Sequence, residues 1–286
     1  MPKIDTAKCN RCGACIEECP SLAIAAKEDN TAWVKYPEFC SVCGHCTAIC
    51  PTGAVAQEEL PPGAFMQVGT KPSSDLVRNL LLSRRSTRVF SDRPVPRELI
   101  QELITCGTNA GTASNAQSEG FIVVADSKVM VDLSNMVLEA FWNAGLKYMG
   151  NSLGRAVVKA SYGPELTEQM GQYYSLFKKM RDREIPARSI FRNAPAIIVT
   201  HGLRKNPLAM TNAALATRNM EIMALPMGLG TCWIGFLVVA SQRDKKVREF
   251  LGLPADRTVC GAITVGFPKR EYKKAILRKE RSIRWI

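Results

Sequence analysis

Cysteine is the residue whose type and spacing first promise chemistry. The chain has eleven, and eight of them lie within the first 50 residues. They form two runs, Cys9-x2-Cys12-x2-Cys15-x3-Cys19-Pro20 and Cys40-x2-Cys43-x2-Cys46-x3-Cys50-Pro51, offset throughout by 31 residues, an internal repeat. Disulfides seldom persist in a cytosolic chain, so such clustering asks for metal rather than bridges. Structural zinc needs two Cys-x2-Cys pairs. It has no use for a third and fourth cysteine followed by proline, twice over. The run is instead that of thiolates around a [4Fe–4S] cluster. Three cysteines at this spacing wrap one face of a cubane; the fourth leaves on the next turn, where proline ends the local structure. Gly13 and Gly44 stand beside these ligands, where backbone must approach sulfide closely. His45 lies inside the second run, where every ligand place is already filled.

Over their whole length, residues 1–60 resemble a bacterial-type two-cluster ferredoxin. In such proteins the fourth cysteine of each run serves the other cluster. The resemblance therefore implies one [4Fe–4S] cluster on Cys9, Cys12, Cys15 and Cys50, and a second on Cys40, Cys43, Cys46 and Cys19.

Behind this segment, residues 58–75 mix Pro, Gly and Ser without periodicity and read as a linker or surface strap. The chain divides into a first domain over 1–60, a linker over 61–75 and a body over 76–286. In the body, helices are expected at about 76–84, from Pro96 to Cys106, over 127–142, from Pro207 to Leu225, and from a Ser241 cap to about Leu251. Strands are expected at 121–125, 194–200 and 259–267, with a small-residue loop over 107–119. This is a layered body of α+β or α/β type. It lacks the G-x-x-x-x-G-K-[ST] phosphate loop, and Gly228-x-Gly230 lacks the third glycine of a dinucleotide fingerprint.

Four separated pieces of the body resemble the FMN-dependent nitroreductase family. The first is Arg84-Arg85-Ser86-Thr87-Arg88-Val89-Phe90. The resemblance implies that Arg84, Arg85, Ser86 and Arg88 hold the FMN phosphate and ribityl chain. Cations and hydroxyls suit a phosphate, and alternate residues of an extended piece share a side, so Arg84, Ser86 and Arg88 should converge. Alone, the same residues read rather as a solvated basic helix end. The second piece is Ala113-Ser114-Asn115-Ala116-Gln117, where Asn115 and Gln117 would meet the flavin edge. Here Ser118-Glu119 replaces the family's Pro-Trp. The third is Gly228-Leu229-Gly230-Thr231-Cys232-Trp233-Ile234-Gly235, whose backbone would pass beside the flavin ring through Gly230, Thr231, Trp233, Ile234 and Gly235. Cys232 has apolar neighbours and no sequence partner, so it reads as packing rather than a redox thiol; Cys106 and Cys260 read as buried small hydrophobes. The fourth is Gly266-Phe267-Pro268-Lys269 followed by Arg278-Lys279, of which Arg278, or Lys279 in its place, would reach the phosphate.

The resemblance implies an α+β fold with a central sheet flanked by helices, an intertwined homodimer with FMN sites at its interface, and a small ferredoxin-like domain ahead. It implies a flavoenzyme that relays electrons from two clusters to FMN and reduces a small electron-poor acceptor: a nitroaromatic, a quinone or an activated alkene. A reductive dehalogenase on the same fold, or an electron-transfer module serving a partner protein, are the alternatives. No residue declares itself as a general acid. Residues 141–191 hold eight of the twenty aromatics, including Phe141, Trp142, Tyr173, Tyr174 and Phe177. These rings either stack on the acceptor or fill the core between helices.

Charge is uneven. The net formal charge is +12, from 38 Lys and Arg against 26 Asp and Glu. Residues 1–60 hold five basic and eight acidic residues, or −3, which leaves +15 for the rest. An acidic carrier against a cationic flavin domain is coherent, and the same basic surface suits an acidic external low-potential donor such as a ferredoxin. The acidic head and the lack of any binding motif speak against nucleic acid. No apolar run approaches the ~18–20 residues of a membrane span, and the first residues carry no apolar h-region, so the expected location is the cytoplasm.

Overall fold

The computed structural model describes residues 1–61 and 63–286; Pro62, within the expected linker, lies outside the described residues. The chain groups into two compact units, Met1–Pro72 with Thr112–Gln117, and Ser73–Gly111 with Ser118–Ile286.

The first unit follows the repeat. Its elements are β1 (Pro2–Ile4), α1 (Ala14–Glu17), β2 (Ile24–Ala26), β3 (Ala32–Val34), α2 (His45–Ile49) and β4 (Val55–Gln57). β1 pairs antiparallel with β4, and β2 with β3. Gly13 and Gly44 precede the two short helices in the left-handed conformation, at φ 79° and 75°. Such φ values cost a residue with a Cβ and not glycine. A small core of Cys15, Ile24, Ala32 and Val55 lies between the elements. A unit this small has little apolar surface to bury, which is where bound metal commonly supplies the missing stability.

The second unit is built on one sheet. Its elements run α3 (Ser74–Ser83), α4 (Arg97–Thr108), β5 (Gly120–Val124), α5 (Ser127–Asn143), α6 (Ser152–Tyr162), α7 (Pro164–Arg181), β6 (Ala196–Leu203), α8 (Ala209–Ala224), β7 (Gly230–Trp233), α9 (Gly235–Arg243), α10 (Lys245–Phe250) and β8 (Arg257–Gly266). The strand order is β5-β6-β8-β7, every pair antiparallel, with a register shift at Thr200/His201. Alternation sorts β6 onto two faces. Ile197 and Val199 join a core with α5, α7, α9 and α10; Ala196 and Ile198 join one with α4 and α8. Helices on both faces explain why β6 and β8 read as unbroken apolar runs despite their antiparallel pairing. Local signals set the helix starts: the side chains of Ser73, Asp126 and Asn151 accept amides at the heads of α3, α5 and α6.

Helices α6 and α7 and strand β7 stand where no element was expected, and one expected helix is different. The helix capped by Ser241 is two helices, α9 and α10. Ser241 is buried within α9 with its hydroxyl donating to the Val238 carbonyl, while the Asp244 carboxylate accepts the Lys246 amide and starts α10. Among the described residues no helix is long and apolar enough to cross a membrane.

Candidate functional site

The cysteines of the first unit sort into two sets around two cavities. One cavity is lined by Cys9, Cys12, Cys15 and Cys50, the other by Cys19, Cys40, Cys43 and Cys46. Each run thus gives its first three cysteines to one cavity and its fourth to the other. Among the described residues no three His, Cys, Asp or Glu side chains converge to hold a single ion. Tetrahedral zinc with Zn–S near 2.3 Å needs its sulfurs about 3.8 Å apart. These cysteines surround a space instead of meeting at a point, which fits a cubane.

The backbone suits the same purpose. The residue before the second cysteine of each run, Arg11 and Val42, is left-handed at φ 64° and 54°. For β-branched Val42 this is a strained conformation, of the kind that persists where function holds it. Left-handed residues set among ordinary ones are a habit of anion-binding concavities, Fe–S sites included. Hydrogen-bond donors reach the fourth cysteines alike. The Ala23 amide donates to Cys19 Sγ at 3.3 Å and the Ala54 amide to Cys50 Sγ at 3.2 Å, with the Ser21 and Thr52 hydroxyls at 3.8 and 3.7 Å. Burial raises these two thiols, but the hydroxyl and amide donors outweigh it and leave both below the ordinary value. At Cys15 and Cys46 burial wins and the thiols sit above it. His45 faces Glu18 at 3.7 Å. Gln57, 6% exposed, points its Nε2 at Cys40 Sγ at 4.0 Å. Asn115 Nδ2 donates to the Ser41 carbonyl at 3.0 Å, and Gln117 Nε2 donates to Asn115 Oδ1 at 2.7 Å. Both ends of the Asn115 amide are therefore engaged within the first unit.

In the second unit, three pieces far apart in sequence come together. Ser86 bridges to Thr231, and the Thr87 amide donates to the Thr231 carbonyl at 2.8 Å. Further on, Phe90 bridges to Pro268, Ser91 N–H donates to the Phe267 carbonyl at 2.8 Å, and Lys269 N–H to the Val89 carbonyl at 3.1 Å. Residues 86–91 thus run from β7 to the end of β8. Gly230 is required by this packing, because a Cβ there would collide with the Thr87 side chain. A cavity of about 330 Å³ opens at the junction, lined by Arg85, Thr87, Gly228, Gly230, Arg270 and Tyr272 among others. That is the size of a small-ligand site.

The cations do not follow simple alternation. Arg84 is held 3.3 Å from Glu221, both largely buried, and Arg218 lies 3.5 Å from the same carboxylate. Glu221 thus takes Arg84 away from the expected convergence with Ser86 and Arg88, and Arg88 is exposed. Arg85 faces the cavity instead. Its Nη1 donates to the Leu82 and Arg84 carbonyls and its Nη2 to Ile276, while its Nε is buried with no partner. A buried guanidinium N–H without an acceptor fits an incoming phosphate oxygen. Arg278 and Lys279 are exposed on the arm after β8. Thr231 and Ile234 are buried and Trp233 is 40% exposed. Cys232 is buried at the sheet, its thiol 3.7 Å from the Trp233 carbonyl, as packing requires. Sequence reasoning missed Glu221; the signal available was its spacing of three residues from Arg218 on α8, the two being the charged residues of that helix.

The aromatics of 141–191 divide. Phe177 and Phe191 are fully buried, and Phe141, Tyr173 and Phe177 pack around Phe236 at centroid distances of 5.2–5.3 Å. These fill the core. Trp142 stacks on Tyr174 at 5.7 Å under the Arg181 guanidinium. Tyr148 and Tyr162 are exposed and line an open cavity of about 530 Å³ with Leu153, Val157, Met170 and Arg243. Elsewhere, burial and the neighbouring Arg257 hold His201 below its ordinary pKa. Cys260 is buried and Cys106 half-buried, both thiols raised chiefly by burial.

Comparison with known proteins accords with this geometry. Residues 1–51 match the 4Fe-4S dicluster domain, and residues 81–267 match the nitroreductase family. A curated Archaeoglobus fulgidus protein, "Putative NADH dehydrogenase/NAD(P)H nitroreductase", is 27% identical over 67% of this chain and 85% of its own length. A Staphylococcus aureus "NADPH-dependent oxidoreductase" is 25% identical over 63% of this chain, and the match spans 60% of that relative. A nitroreductase with bound FMN from Bacteroides fragilis shares the fold, with a TM-score of 0.51 and 20% identity over 73% of this chain and 94% of that one. With its body matched over most of its length, the chain belongs to the nitroreductase family of oxidoreductases, and it carries a 4Fe-4S dicluster segment ahead of that body.

Proposed function

We propose that the chain is an FMN-dependent oxidoreductase that accepts single electrons on two [4Fe–4S] clusters, relays them to FMN, and reduces a small electron-poor acceptor such as a nitroaromatic, a quinone or an activated alkene. The crossed cysteine sets support the two-cluster input. The observation that carries the flavin reading is the junction of residues 84–91 with β7 and the end of β8, which leaves Arg85 Nε buried and unpartnered beside a glycine wall. Arg85 would hold the phosphate, with Ser86, Arg88, Arg278 and Lys279 as further contributors. Gly230 to Gly235 would present main chain to the ring, and Arg84 acts through its ion pair with Glu221 to fix the segment. Asn115 and Gln117 have no part in this assignment, because their amides are engaged with each other and with Ser41. Bound FMN supplies the change from one-electron to two-electron chemistry; the protein supplies charge, orientation and exclusion of water.

A second copy of the chain is part of the proposal. α3 and α6 bury no residue, Leu153, Val157 and Tyr162 are exposed, and the arm after β8 exposes Ile276, Leu277, Ile283 and Trp285. Exposed apolar surface on this scale marks an interface. The external donor is a low-potential one-electron carrier.

The test is an anaerobic spectrum with iron and flavin counted per chain, followed by dithionite reduction and addition of a nitroaromatic. Two clusters and one FMN with turnover support the reading. Absence of flavin refutes it. Turnover only with an added partner protein would favour an electron-transfer module, and halide release from a haloaromatic a dehalogenase.

A further inference from the structure

The two cysteine sets have the same ligands and unequal surroundings. Gly13 and Gly44 occupy equivalent places in the repeat. A Cβ at Gly13 would meet nothing within 4 Å, whereas one at Gly44 would meet Leu60 Cδ1 at 2.9 Å and Phe65 Cε1 at 3.2 Å. The adjoining cysteines follow suit: Cys12 is the one exposed member of the eight, and its counterpart Cys43 is half-buried. The buried Gln57 amide points at Cys40, and the counterpart of Gln57 in the first half is Ala26, which has no donor to offer. Asn115 fastens a further strand of chain to the Ser41 carbonyl, between Cys40 and Cys43. Among the described residues, Leu60 and Phe65 therefore lie on the side of one set, together with the buried Gln57 amide.

We infer that Gln57, Leu60 and Phe65 form a cap specific to the set formed by Cys19, Cys40, Cys43 and Cys46. The set formed by Cys9, Cys12, Cys15 and Cys50 is then the one open to outside electron donors, oxidants and chelators. The inference rests on the two-cluster reading above. Leu60 and Phe65 lie against Gly44, which lines the cavity of this set, and would hinder the approach of large solutes from that side. Gln57 is a positioning residue that adds an N–H toward sulfur. Solvent exposure and hydrogen bonds to sulfur are both levers on the potential of an iron–sulfur site, so identical ligand runs need not give identical potentials.

The experiment uses the full-length holoprotein. Iron is counted anaerobically, and its release to bathophenanthroline disulfonate, a bulky anionic chelator, is followed on admitting air. Two phases of equal amplitude are expected, one per cluster. The variant L60S/F65S should abolish the slow phase and leave the fast one unchanged. Phe65→Ala, at a residue 42% exposed, should quicken the slow phase alone and serves if the double variant fails to hold iron. In an anaerobic redox titration read by electron paramagnetic resonance, Gln57→Leu should lower one midpoint potential and leave the other in place. A single phase for all the iron, or two phases that neither cap variant alters, overturns the cap. So does a Q57L protein with both potentials moved or both unmoved. Reconstituted protein that binds no iron refutes the cluster reading itself, and the cap with it.

Discussion

Replacing Gly230 by alanine tests the junction on which the proposed flavin site depends. A Cβ at this position runs into the Thr87 side chain. Thr87 has little room to retreat, since it is 9% exposed and its amide is tied to the Thr231 carbonyl at 2.8 Å. Gly230 is not in the left-handed region, so the cost is steric and not conformational. Overpacking of a well-filled site costs about 1–3 kcal/mol. The upper half of that range applies, because the obstructing residue is anchored through its backbone. Relief requires residues 86–88 to lift from β7, which opens the wall facing Arg85 and weakens flavin retention. Thr87→Gly removes the obstructing atoms. The double variant G230A/T87G should therefore be more stable than the sum of its single variants by about 1–3 kcal/mol, as contacting residues that couple do. Urea unfolding of the four proteins gives the cycle, and absorbance near 450 nm after gel filtration gives retained flavin. A G230A protein within about 0.5 kcal/mol of the parent and fully loaded with flavin would refute the reasoning.

Cys19→Ser should cost the cluster held by Cys40, Cys43 and Cys46, leaving about four iron atoms per chain; Cys40→Ser should match it spectroscopically, while Cys9→Ser and Cys50→Ser match each other. Phe177→Ala, in the centre of the aromatic core, should destabilise by about 3–5 kcal/mol in chemical denaturation. Glu221→Gln leaves the largely buried Arg84 without its carboxylate. Its cost should stay below the about 3–5 kcal/mol of a fully buried pair, because the amide still accepts a hydrogen bond and Arg218 is partly exposed, again read by denaturation. His201 is held below its ordinary pKa by burial and Arg257. The unfolded chain then binds the proton more readily, so stability is full above about pH 6.5 and falls as the solution is acidified toward the folded-state pKa. His201→Gln should flatten the denaturation midpoint over that window, and an unchanged slope would exclude His201 as its source.

The strands β5, β6 and β8 were legible because both faces of the sheet are buried, which writes β6 and β8 as continuous apolar runs; α6 and α7 were not, since α6 buries no residue and α7 only Phe177 and Met180, and neither was β7, a strand of four residues. The α9–α10 break was not, since Ser241 and Asp244 both look like caps and only burial decides between them. The crossed cysteine sets were legible from spacing and resemblance. The ion pair of Arg84 was not legible, because alternation along an extended piece says nothing about a carboxylate arriving from α8. The partner of Asn115 was illegible for a similar reason: an amide in a small-residue loop can serve any nearby carbonyl, and the Ser41 carbonyl is 74 residues away in sequence. Leu60 and Phe65 looked like linker because a cap of two side chains has no periodicity to display.

The exchange of fourth cysteines between the halves of the repeat has a consequence for how the molecule is made. On the two-cluster reading, neither half would be a self-sufficient holder of metal. During synthesis the earlier trio must wait, incomplete, until residue 50 has emerged, and the later trio is complete only if the earlier half has kept its own fourth thiol free. A polypeptide of half the length could satisfy the same rule only by trading cysteines with a twin. Maturation of the two centres would thereby be yoked, and a truncation before residue 46 would leave neither set complete.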